Sequence, residues 1–218
     1  GEKMSDVFSK ISAEVISGNI EETKRLTQQA LDEGASAKEV LDKGLLPGMD
    51  IVGQRFKAYE MFIPEVLRSA KCMHEATDII RPFLSASDAA GAGTVVLGTV
   101  EGDLHDIGKN LVGMMLEGAG FKVIDLGVDI KPQGFVKAIK EHSPHILGMS
   151  ALLTTTMMKM EETIVALKEA GVRRQVKVMI GGAPVTETFA KEIGADGYGS
   201  NAQTAIEKAK ELLELSLY

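Results

Sequence analysis

The feature that most constrains the fold is a change of texture at residue 93. Beyond it, short runs rich in β-branched residues alternate with helical segments. The runs lie at 94–99, 122–126, 146–150 and 177–180, with a weaker one at 196–198. The helical stretches lie at about 106–119, 132–142, 157–170, 185–193 and 201–215. Gly120 and Gly171 stand where two of these helices should stop, because a helix commonly ends on a left-handed residue that glycine adopts without strain. Five strands, each followed by a helix, predict an α/β domain with a five-stranded parallel sheet, doubly wound in the Rossmann or flavodoxin manner. Such sheets bind ligands at the carboxyl ends of their strands.

The first part of the chain reads differently. Residues 4–84 place apolar side chains at helical spacing, as in Val7, Ile11 and Val15, and then Leu26, Ala30 and Leu41. Breaks are expected at Gly18-Asn19, at Gly34-Ala35-Ser36 with Ser36 as an N-cap, at Lys43-Gly44 and near Ile63-Pro64. Four or five short helices follow, forming an N-terminal bundle over 1–88 that precedes the α/β domain at 89–218. The small, polar stretch 85–93 is the best linker in the chain.

The net charge of −7 argues against a nucleic-acid partner, which needs a basic face. No apolar run approaches the roughly 20 residues that cross a bilayer. The opening Gly1-Glu2-Lys3-Met4 shows no charged-then-apolar export pattern, and Gly1 in place of an initiator Met reads as a cloning remnant. The single cysteine, Cys72, excludes an internal disulfide framework; we therefore expect a cytoplasmic protein.

The chemistry concentrates at the strand ends. The first strand runs into Thr99-Val-Glu-Gly-Asp103-Leu-His105-Asp106-Ile-Gly108. A histidine in such a loop can offer one ring nitrogen to a metal while the other donates to a carboxylate, which fixes the tautomer and raises ligand basicity. Gly108 would let a ligand approach the backbone closely. By itself this pattern also fits a capping Asp beside an incidental loop His. The other strand ends shift the balance: Ser150-Ala-Leu152, then Leu153-Thr154-Thr155-Thr156, and later Gly181-Gly182-Ala183-Pro184. Small and hydroxyl residues at neighbouring strand ends describe a deep slot rather than a packed core.

Asp103-x-His105-x-x-Gly108, followed by Ser150-x-Leu152 and Gly181-Gly182, resembles the cobalamin-binding signature of methionine synthase and the methyltransferase corrinoid proteins. The stretches Val52-Gly-Gln-Arg-Phe56 and Met61-Phe-Ile-Pro-Glu65 resemble the helical cap of the same families, so the resemblance covers nearly the whole chain. It implies a cobalamin or related corrinoid bound with its own base displaced, and His105 taking the lower position on cobalt. Asp103 would bond His105, and Thr156 would complete a ligand triad. Gly102 and Asp106 would touch the ring or its amides, and Ser150, Leu152 and Thr154 would line the tail and lower corrin edge. Gly181 and Gly182 would flank the tail because a Cβ there would block it, and Ala202 would make the last contact. Phe56 and Ile63 would cover the upper face, although without the later motifs the ordinary reading of both as core residues of a helical bundle would win. The resemblance further implies a methyl carrier without catalytic apparatus of its own. It would shuttle between a substrate-specific methyltransferase and a second one acting on a thiol or folate, maintained by a reductive activation protein.

Two other readings compete. Mutase subunits and cobalamin sensors share the Asp-x-His-x-x-Gly domain, but mutases need a barrel and sensors a DNA-binding module. A cofactor-free, receiver-like interaction domain would place acids where this chain has His105 and tandem glycines. Met157, Met158 and Met160 read as core filler rather than a metal site. Gly91-Ala-Gly93 precedes a strand, the wrong order for a dinucleotide loop.

Overall fold

The computed structural model describes residues 2–85, 88 and 91–214. They form two compact units that divide between Gly91 and Ala92, with Glu117–Gly120 grouped with the first. Four residues of the linker expected at 85–93, namely 86, 87, 89 and 90, and residue 215, the expected end of the last helix, lie outside the described residues.

In the first unit, helix α1 (Glu2–Ser17) buries Val7, Phe8, Ile11 and Val15 along one stripe. It stops at Gly18, whose φ is +75°, and Asn19 then caps α2 (Ile20–Asp32) by accepting the Glu22 N–H at 3.2 Å. Ser36 and Glu39 form a reciprocal capping box that opens the short α3 (Ala37–Glu39).

The break expected at Lys43-Gly44 does not occur. The chain continues as a π-helical stretch, Val40–Leu45, directly into α4 (Leu46–Lys57). Gly44 marks a close helix approach instead. A Cβ there would lie 3.1 Å from Ile11 Cγ2, and one on Gly48 would lie 3.0 Å from the Ser12 carbonyl oxygen. The Ser12 hydroxyl donates to the Gly44 carbonyl at 2.5 Å, anchoring the stretch to α1. α5 (Ile63–Ile80) begins at the expected Ile63-Pro64, where the Glu65 carboxylate accepts the Phe62 N–H at 2.8 Å.

The second unit contains β1 (Gly93–Thr99), α6 (Ile107–Gly118), β2 (Phe121–Asp125), α7 (Pro132–His142), β3 (Ile146–Ser150), α8 (Thr154–Glu169), β4 (Lys177–Gly181), α9 (Glu187–Ile193), β5 (Gly197–Gly199) and α10 (Ala202–Leu212). All strands are parallel, in the order β2-β1-β3-β4-β5, with Leu97 opposite Gly148 and Gly148 opposite Met179. This is the doubly wound class predicted from the alternation. α8 starts three residues earlier than expected. The Thr154-Thr-Thr156 run suits a helix start, where hydroxyls can bond nearby backbone groups, as Thr156 Oγ1 does with the Leu153 carbonyl at 3.1 Å.

Alternation along each strand sends Val96, Leu147, Met149, Val178 and Ile180 to one face, where α7, α8 and α9 cover them in a continuous core. Met160 is fully buried there and Met157 packs against it, but Met158 is 47% exposed, so it is not the filler expected of it. The other face carries Val95, Leu97, Ile146, Gly148 and Met179, with α6 and α10 beside it. β1 and β3 are neighbours whose following helices, α6 and α8, lie on opposite faces. A crevice opens at such a switch point, and the loop after β1 enters it.

Candidate functional site

Loop 100–106 carries the chain from β1 to α6 and turns tightly, the Asp103 N–H donating to the Val100 carbonyl at 3.1 Å. Gly102 adopts φ +80°, a conformation an L side chain would resist. Asp103 is fully buried and accepts four hydrogen bonds. Oδ1 takes the His105 backbone N–H at 3.0 Å and the His105 ring at 2.8 Å; Oδ2 takes the Leu152 N–H at 2.8 Å and the Thr156 hydroxyl at 2.6 Å. Burial pushes this carboxyl up, but the bonds from Thr156, Leu152 and His105 outweigh it and hold it well below the usual carboxylate range.

An ionised Asp103 fixes the imidazole. Nδ1 faces a carboxylate and must carry the proton, so Nε2 holds the lone pair. The His105 side chain is 53% exposed, and Leu104 and Ile107 on either side are 71% and 76% exposed. With Leu152 and Leu153 also partly exposed, the histidine stands in an apolar rim.

Behind that rim lies a cavity of about 630 Å³, within the range of small-molecule sites. It descends from Leu152 and Ser200 past Gly148 to Ile146, the first residue of β3. At roughly 3.3 Å per residue, that descent along β3 is about 13 Å. The slot is open because its walls are small. Gly148, Ser150 and Gly181 floor it, and α10 presents Ala202, Ala205 and Ala209 at helical spacing.

The structure brings His105, Asp106, Gly108, Ser150, Leu152, Gly181, Gly182 and Ala202 to this cavity. Asp103 and Thr156 are buried behind the imidazole rather than lining it. Gly102 is in the loop, and a Cβ there would contact Thr156 Cγ2 at 3.8 Å. Thr154 opens α8 and is not among the lining residues. Phe56 is half-buried on α4, and Ile63 is 42% exposed at the start of α5; both belong to the first unit.

Gly182 has a physical reason of its own, besides the one expected. Its φ is +129°, and a Cβ there would overlap the Ala151 carbonyl oxygen. The adjoining backbone of β3 already demands glycine, whatever occupies the slot. Gly181 is tight against the Gly199 carbonyl, 3.0 Å from an ideal Cβ. Gly108 has open space around it, as close approach of a ligand requires.

Sequence reasoning missed four residues. Thr99, fully buried, donates to the His105 carbonyl at 2.9 Å and accepts from the Ser150 hydroxyl at 2.9 Å. Lys109 has a side chain only 3% exposed and bonds Asp125 at 2.6 Å and Asn110 at 2.7 Å. Asp129 bonds the histidine loop. Gly148 carried a signal that could have been used: glycine inside a strand marks close approach of a ligand or another backbone.

These features define a B12-binding protein. Two models, each described as a B12 binding domain, match residues 93–207 and 7–81. A corrinoid protein of Desulfitobacterium hafniense (strain Y51) is 43% identical over 210 residues, 95% of this chain and 97% of that one. A trimethylamine corrinoid protein of Methanosarcina barkeri is 42% identical over 212 residues, covering 96% and 98%. Among solved structures, the methanol:cobalamin methyltransferase complex of Methanosarcina barkeri matches with a TM-score of 0.86 at 29% identity, over 97% of this chain and 81% of that one. The chain belongs to the corrinoid protein family. No helix among the described residues is long and apolar enough to cross a membrane.

Proposed function

We propose that this protein holds a corrinoid with the cofactor's own base displaced and His105 in its place, and carries a methyl group between two methyltransferases. The observation that carries this reading is the bond from His105 Nδ1 to buried Asp103, which leaves Nε2 as the lone-pair nitrogen on a half-exposed ring beside the slot. The residues fit such a group: an imidazole donor, an apolar rim for a flat macrocycle, and a narrow slot for a displaced tail. When bound, the corrinoid supplies the metal that accepts and gives up the methyl group.

The chain's own residues orient and hold. Asp103 fixes the tautomer, and Thr156 and the Leu152 N–H keep Asp103 ionised. Gly108, Ser150, Gly181 and Ala202 keep the slot clear for the tail, with Leu152 at its mouth. The relatives named above support a methyl donor of the methylamine or methanol class. One partner is then a methyltransferase specific for that donor. The other passes the methyl group to a thiol or folate, and a reductive activation protein returns oxidised cofactor to use.

The test is a visible-absorption titration of the apo-protein with hydroxocobalamin, beside His105→Ala. The wild type should bind one equivalent with a spectrum showing the cofactor base displaced, and the variant should show a different axial environment. A wild type that binds no corrinoid, or identical spectra for the two proteins, rejects the reading.

A further inference from the structure

The segment that carries His105 is tied on one side to a single neighbouring stretch, residues 125–131, the end of β2 and the loop that leads to α7. That loop runs along the end of β1: the Thr99 N–H donates to the Gly127 carbonyl at 3.0 Å, the Ile130 N–H donates to the Thr99 carbonyl at 3.0 Å, and Val100 bridges Ile130. Two aspartates four residues apart hold the two ends of the histidine segment. At its far end, Lys109 is paired with Asp125 at 2.6 Å. At its near end, the Asp129 carboxylate accepts the Gly102 N–H at 2.7 Å, and the Asp129 N–H donates to the Asp103 carbonyl at 3.0 Å. Asp129 itself sits in the left-handed region, with φ +55°. Aspartate and asparagine enter that region more readily than other side chains, and glycine enters it freely.

We propose that Asp129 is a positioning residue for the histidine ligand. By gripping Gly102 and Asp103 from outside, it fixes the height at which the loop presents the His105 imidazole, and so how firmly that ring can reach cobalt. Asp103 governs the ring's proton; Asp129 governs the position of the backbone from which the ring projects. The assignment rests on His105 being the cobalt ligand. It adds a residue 24 positions downstream that lines no part of the slot. An exposed carboxylate bound to one backbone amide is expected to affect geometry more than folding stability.

Two substitutions separate the side-chain bond from the backbone conformation. Asp129→Gly keeps the left-handed conformation without strain and removes the acceptor. Asp129→Asn keeps both the conformation and a carbonyl acceptor for Gly102. In the apo-protein, the Gly102 amide should exchange with solvent about tenfold faster in Asp129→Gly and near the wild-type rate in Asp129→Asn; one charge-assisted bond is worth about that factor. After loading with cobalamin and reduction to the Co(II) state, electron paramagnetic resonance reports an axial nitrogen by its hyperfine splitting. The ratio of histidine-bound to histidine-free signal should fall about tenfold in Asp129→Gly and recover in Asp129→Asn, with the urea midpoint of the apo-protein little changed.

A wild-type ratio in Asp129→Gly overturns the proposal even if the Gly102 amide exchanges faster, because the grip would then be purely structural. It leaves the carrier reading intact. A wild type without the nitrogen splitting overturns both, and is distinguishable from the first result in the same spectra.

Discussion

Replacing Gly182 with alanine should destabilise the protein by about 4–5 kcal/mol, which places it among the rare, severe single substitutions. Two independent costs add. At φ +129° an L side chain is strained by roughly 1–3 kcal/mol. The new Cβ would also overlap the Ala151 carbonyl oxygen, a backbone atom that cannot rotate away. Ala151 is held in turn, its N–H donating to the Gly181 carbonyl at 3.2 Å, so relief requires parting the ends of β3 and β4. Urea denaturation followed by circular dichroism should show a large drop in midpoint or no cooperative transition. Gly108→Ala is the matched control. Its Cβ meets nothing within 4 Å, and the first turn of α6 prefers alanine, so stability should hold or rise by up to about 1 kcal/mol. Corrinoid affinity should nevertheless fall about tenfold if a ligand approaches there. A Gly182→Ala protein within 0.5 kcal/mol of wild type (about the scatter of a neutral surface change) would show that the tight contact is not a real constraint.

That contrast shows where the sequence speaks and where it does not. The strand–helix alternation after residue 93 and the Asp103-x-His105-x-x-Gly108 motif are local patterns, visible within a dozen residues. The sheet and the ligand edge follow from them. Gly182 was singled out as a glycine flanking the slot, but the atom that forbids a side chain belongs to Ala151, 31 positions away. Gly44 was misjudged for the same reason. Beside Lys43 it looks like a helix stop, and only its distance to Ile11 reveals a close packing of helices. Thr99 and Asp129 were invisible because a threonine ending a strand and an aspartate in a loop are ordinary locally. The Thr99 pairing with Ser150 and the Asp129 bond to the histidine loop exist only once the sheet has formed. Thr156 was reachable by resemblance alone, since nothing local marks the third of three threonines as the one facing Asp103.

The four bonds to Asp103 make Asp103→Asn and Asp103→Ala a graded pair. An asparagine has one acceptor oxygen and one amide nitrogen to place. If the oxygen faces His105, the backbone N–H and ring Nδ1–H stay bonded. The amide then meets Thr156, whose hydroxyl can accept it while donating to the Leu153 carbonyl at 3.1 Å. Only the Leu152 N–H is left unpaired, at a cost of about 1–3 kcal/mol. Alanine removes every acceptor and should cost about 3–5 kcal/mol. Acid should narrow the difference from wild type. The Asp103 carboxyl titrates lower in the folded protein than in the unfolded chain, so its ionised form stabilises the fold above the ordinary carboxyl value of about 4. That stabilisation is lost as pH falls through the depressed native value. Denaturant midpoints at neutral pH and below pH 4 check this; a gap that stays constant across that range would mean Asp103 is not held ionised by its partners. Nitrogen-15 spectra of the His105 ring at alkaline pH supply the functional reading. Wild type and Asp103→Asn should show Nδ1 protonated and Nε2 free, whereas Asp103→Ala should show the opposite tautomer, which dominates for free imidazole side chains and puts the proton on Nε2. Loaded with hydroxocobalamin, Asp103→Asn should keep histidine ligation because Nε2 stays free, whereas Asp103→Ala should weaken it. Should Asp103→Ala ligate the histidine as firmly as wild type, the carboxylate would be a structural clasp for Leu152 and Thr156, with no part in presenting the ring.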